Sequence, residues 1–260
     1  MQAVIALGFG AFFVSSLAIG LRLVWLAKRN RGLPELLIGV GILGIGPAGF
    51  ALMVLAMLFG EGRPGVAFAC LATAQLAIVA GALSAYVFNW TVFRYDAAWA
   101  RAVVWIAAVL FGVAFVGRLV TGSYSLPMRL DVWTHLSSFN MILCLLWGSF
   151  ESLRYYRRMR RRAKLGLADP VITNRFLLWG LGIGSAGVGS LIGTLVMVLT
   201  GKPMQELDAL TLSNSMFGLA SAVLMWIAFL PPASYRRWIE SRARAAAAEL
   251  LVRSPVSKLP

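Results

Sequence analysis

The sequence is poor in the residues from which most active sites are built. Of 260 residues, one is histidine (His135) and two are cysteine (Cys70 and Cys144). Zinc sites need clustered His and Cys ligands, and a bis-histidine haem needs two imidazoles, so neither fits. Both cysteines fall inside long apolar runs. That argues against a disulfide framework and reads each as a small packed hydrophobe. Charge is scarce as well. Charged residues make up 13% of the chain, where a soluble domain carries about a quarter.

What the chain has instead is apolar length. Hydrophobic residues reach 60% and the mean hydropathy is +0.80. Seven runs, near 3–27, 35–60, 66–93, 102–121, 132–153, 172–200 and 211–231, have the roughly 20 residues needed to cross about 30 Å of hydrocarbon. Lipid offers the backbone no hydrogen-bond partner, so each must be a helix. The expected fold is an all-α bundle of seven transmembrane helices over residues 1–232. A basic tail follows over 233–260, partly an amphipathic helix with Trp238, Ile239, Leu250 and Leu251 on its apolar side. The first run lacks a basic n-region and ends in "KRNRG", so it reads as a span rather than a cleaved signal.

Lysine and arginine sort by loop. The first, third and fifth connections and the tail hold nineteen of them; the second, fourth and sixth hold Arg63, Arg129 and Lys202. The positive-inside rule then puts the C-terminus in the cytoplasm and the N-terminus outside. Six arginines and a lysine crowd into 154–164, "RYYRRMRRRAK". Arg157, Arg158, Arg160, Arg161 and Arg162, joined by Arg236 and Arg237 of the tail, read as contacts for anionic lipid, each contributing about 1 kcal/mol. The alternative is docking of an acidic or phosphorylated cytoplasmic signalling protein. Nucleic acid is not expected, because no recognition fold accompanies the run. "GLADP" ends the basic helix through Gly166 and Pro170, and Asn174 and Arg175 open the next.

Spans one to three echo spans five to seven. Both triplets carry Leu-Arg, a basic segment, a Gly-Leu turn with Pro, "LL" and a glycine-rich span, and both close on Trp-x-x-Phe (Trp90 to Phe93, Trp226 to Phe229). The fourth span is unmatched, which makes a parallel 3+1+3 repeat. In this architecture the chain resembles the transporter–opsin–receptor group of SWEET-type carriers, microbial rhodopsins and seven-helix receptors. It is also similar to uncharacterised bacterial seven-helix proteins carrying a "GLADP…NRFLLWG" segment. The resemblance implies a multi-pass protein of the bacterial inner membrane and leaves a homo-oligomer open.

The chemistry of that group is not carried over. No lysine lies in the seventh run, so no retinal Schiff base can form there. "GVGILG" and "GIGSAG" match G-x-G-x-x-G, but neither follows a strand. Gly180-x-x-x-Gly184 and Gly189-x-x-x-Gly193 read as close helix contacts, and Pro47 as a kink. Ser185 and Ser190 lack a nucleophile elbow and a base. No enzyme activity, cofactor or metal is expected.

A polar set remains in the outer half. Arg118 ends the fourth run, Asp131 and His135 begin the fifth at i and i+4, and Asn140 lies deeper. Gln75 sits about 15 Å into the third run, and Asn214 lies near the outer end of the seventh. Ionisable groups in a membrane turn inward and pair. One reading is an Arg118–Asp131 pair within helix contacts. The other is a single cavity, open to the outside, for a small anionic or amphipathic ligand, with Asp131 holding Arg118 and favouring protonation of His135. At the inner side, Glu151 with Arg154 and Arg158, and Asp96 with Arg94, read as solvated pairs. Three functions fit: a receptor-like sensor, an uncoupled small-solute carrier, and an accessory subunit. No carboxylate lies at mid-membrane to couple transport to protons or sodium.

Overall fold

The computed structural model describes residues 2–126 and 129–253. Among them there is no strand. Seven helices are long and apolar enough to cross a membrane: α1 Gln2–Asn30, α2 Leu33–Phe59, α3 Pro64–Phe93, α4 Ala98–Val120, α5 Val132–Lys164, α6 Pro170–Thr200 and α7 Asp208–Phe229. A further helix, α8 Ala233–Arg253, follows the last span. The chain is therefore a multi-pass membrane protein.

Local chemistry sets the helix ends. Pro at the first turn opens α2, α3 and α6, where its missing N–H costs nothing. Asp169 caps α6 by accepting from the Val171 and Ile172 amides, so α6 starts at Pro170, one turn before Asn174. At the end of α5 the Leu167 amide donates to Arg162 and the Gly166 amide to Ala163, with Gly166 at φ 71°. This Schellman closure needs a left-handed residue, which glycine supplies. In α2 the expected kink at Pro47 takes the form of a π-helical turn, Gly44–Ala48. A second π turn, Asn89–Phe93, ends α3. The matching Trp226–Phe229 end of α7 is ordinary α-helix.

Packing closes the spans into a ring. α1 lies between α2 and α7, α2 packs on α3, α3 on α5, α5 on α6, and α6 on α7. α4 rests outside, against α3 and α5. Its outer face shows Trp105, Ile106, Val109, Val113, Val116 and Val120, all exposed, at the spacing of one lipid-facing helix side. Glycines allow the tightest approaches. A Cβ on Gly180 or Gly184 would strike Leu153 or Ser149 of α5, and one on Gly189 would strike Phe217 of α7. α8 reaches back to α6, where Asn174 donates to the Tyr235 hydroxyl at 2.5 Å. Trp238 of α8 is half exposed, and the Leu250 and Leu251 side chains lie outside the described residues.

Candidate functional site

Three of the six expected site residues meet in one cavity. It lies at the end of the bundle that holds the α4–α5 turn, with a volume of about 310 Å³ for its inner neighbour and about 270 Å³ for itself. Gln75 of α3, Arg118 of α4 and Asn214 of α7 line it, with Thr134 and Ser137 of α5 and Thr194 of α6. A hydrogen-bond chain organises the wall. Arg118 Nη1 donates to Gln75 Oε1 at 2.8 Å, and Gln75 Nε2 donates to the Ser137 hydroxyl at 2.8 Å. The guanidinium also lies over the Tyr124 ring, 4.4 Å from its centroid. Asn214 Nδ2 points to Met204 Sδ at 3.2 Å.

Arg118 is only 9% exposed, and its Nε has no partner among the described residues. The expected ion pair with Asp131 is not formed; among the described residues the one ion pair is Arg94 with Glu151. Asp131 is occupied otherwise. It caps α5, accepting from the Thr134 amide at 2.8 Å, and takes hydroxyl donors from Thr121 and Ser123. Partial burial pushes its carboxyl up, but these hydrogen bonds outweigh burial and hold it down at about 2. Nearby, burial pushes the Tyr124 phenol up to about 12.

The chain matches no protein-family model, no curated protein and no solved structure.

His135 and Asn140 stand off the cavity wall for a geometric reason. The α5 residues on that wall are Thr134, Ser137, Ser138, Met141 and Ile142, a helical stripe. One step along a helix turns a side chain by about 100°, so 135 and 140 point elsewhere. Asn140 instead ties three helices together: it accepts from the Tyr86 hydroxyl at 3.0 Å and donates to the Ala107 carbonyl at 3.0 Å. Ser137 was missed in the sequence because a lone serine in an apolar helix carries no sign of which neighbour it will meet.

At the other end, Arg157, Arg158, Arg160, Arg161 and Arg162 of α5 and Arg236 and Arg237 of α8 are all exposed. Glu151 is not a solvated group. It is 4% exposed and accepts from Arg94 Nε at 2.7 Å, which clamps the end of α3 to α5.

Proposed function

We propose that the protein is a receptor-like sensor that takes up a small anionic or amphipathic ligand beside Arg118 and signals through its basic, cytoplasmic end. The observation that carries this reading is a buried guanidinium on a cavity wall that forms no ion pair among the described residues. Arg118 lies in the last turn of α4, and an anion would supply a partner for its unpaired Nε. The sensing part draws support from α5, a single helix of 33 residues. It lines the cavity at Thr134 and Ser137 and ends in the arginine-rich surface. A ligand that tilts or turns its outer end also moves the surface offered to anionic lipid or to a partner. The inside-positive arrangement of the loops is the basis for placing that surface in the cytoplasm; the bacterial inner membrane and the transporter–opsin–receptor frame with its parallel 3+1+3 repeat belong to the same proposal.

A second reading, an uncoupled carrier, draws on the inner cavity, which meets the outer one at Met141 and Ser190. The test uses the full chain and benzoate as the probe anion. Saturable thermal stabilisation by benzoate is expected, weakened at least about tenfold in Arg118→Gln, since hydrogen bonds to charged groups contribute about 1.5–3 kcal/mol, and kept in the surface control Arg129→Gln. Equal stabilisation of wild type and Arg118→Gln would overturn the site. Benzoate flux into liposomes would move the assignment from sensor to carrier.

A further inference from the structure

The cavity of about 310 Å³ at the centre of the ring has a character unlike that of the outer one. No charged residue lines it among the described residues. Its walls are apolar, with Ile38, Ile42, Phe88, Trp179, Ile183 and Met225 among them. Phe88 and Trp179 meet with ring centroids 5.0 Å apart. Against this apolar surface stands one amide. Asn89 is 3% exposed and lines the cavity, yet its side chain meets no hydrogen-bond partner among the described residues. Room for that amide depends on Gly148, where a Cβ would sit 3.2 Å from both Asn89 Oδ1 and Nδ2. The hydroxyls of Ser16, Ser190 and Ser221 also face this space.

The backbone is unusual at the same place. Among the described residues both π-helical turns of the bundle feed this cavity, one through Ile45 and Gly46 and the other through Asn89. Such turns re-aim side chains and recur at functional sites. A buried amide without a partner is unfavourable, and a void of this size lies at the lower end of the range for small-molecule sites. The absence of any counter-ion excludes a charged occupant, which would lose its hydration with nothing in return.

We propose that this inner cavity is a second binding site, for a neutral and mostly apolar molecule that carries one carbonyl or hydroxyl group, held by the Asn89 side chain. The aromatic walls favour a flat or ring-shaped body, packed edge-on to Trp179 and Phe88. A carbonyl accepts from Asn89 Nδ2, and a hydroxyl donates to Oδ1. The site is independent of the anion site at Arg118 and stands whether or not that one binds.

The test compares two probes of nearly the same shape, acetylnaphthalene and ethylnaphthalene, on the full chain in lipid nanodiscs, with empty nanodiscs subtracted for partitioning. Saturable binding of one ketone per chain is expected, about five- to tenfold tighter than the hydrocarbon, the advantage of one buried hydrogen bond. Asn89→Leu is expected to erase that preference. Should Asn89→Leu fail to fold, Ala186→Phe, which fills the cavity from α6, is expected to abolish binding of both probes while keeping the thermal transition. Non-saturable uptake overturns the proposal, and so does a ketone preference that survives Asn89→Leu. Loss of binding in Arg118→Gln with retention in Asn89→Leu and Ala186→Phe would place the probe in the outer cavity and overturns it as well.

Discussion

Asp131 shows how much a single position can mislead when only its sequence neighbours are known. It lies near Arg118 and His135 in the sequence, which suggests an ion pair and a shared face. Its actual work is capping α5 through the Thr134 amide, a role that an Asp just before an apolar run can take. Capping uses local backbone amides, so it forms wherever the helix forms, whereas pairing with Arg118 depends on how the α4–α5 turn folds. Asp131→Ala should destabilise the full chain by about 1 kcal/mol. Asp131→Asn keeps a capping oxygen and removes the charge, which isolates the pH dependence. The folded carboxyl titrates at about 2, below its ordinary value of 3.8. Its charge therefore stabilises the fold fully above the higher value, and the gain is lost as pH falls through the lower one. Thermal unfolding of wild type and Asp131→Asn should differ most above pH 4 and converge as pH approaches 2. A constant difference over that range would mean that the charge has no part in it.

At the scale of elements, the sequence foretold what local chemistry controls. All seven spans fell where the apolar runs placed them, and "GLADP" stopped the basic helix as read, although the next helix opens at Pro170 rather than at Asn174. The π turns were not legible, because Pro47 alone signals a disruption without saying whether the helix bends, breaks or widens. Nor was the Glu151–Arg94 clamp, which joins residues 57 apart. The Schellman closure at Gly166 gives a test at this level. A left-handed non-glycine residue costs about 1–2 kcal/mol, and Gly166 sits at φ 71°. Gly166→Ala should lower stability by that amount and speed hydrogen exchange of the last α5 turn, which carries the arginines. Unchanged exchange at 160–166 would show that the basic helix ends independently of this turn.

For the whole molecule, the composition settled the class and the loop charges suggested an orientation, but which helix faces meet could not be read. Contacts between spans depend on rotation about each helix axis, and seven runs this uniformly apolar carry little amphipathic signal to fix it. That is why Gln75, Arg118 and Asn214 came together while His135 and Asn140 did not. The orientation is open to direct measurement in a background with Cys70 and Cys144 replaced by alanine. A cysteine placed at Lys202 should react with an impermeant maleimide added outside intact cells, and one at Arg160 only after lysis. The reverse pattern would invert the orientation and put the Arg118 cavity on the inner side. The ring has one more consequence, in the order of biosynthesis. α1 is held by α7: Ser215 donates to the Val4 carbonyl at 3.2 Å across 211 residues, and a Cβ on Gly8 would strike Ser215. At about 5–20 residues per second, the first helix waits some 10–40 seconds in the translocation machinery or the lipid before its partner is made. During that wait Gly8 has no Ser215 beside it, so a chain stopped after α6 would be an open arc rather than a smaller version of the protein.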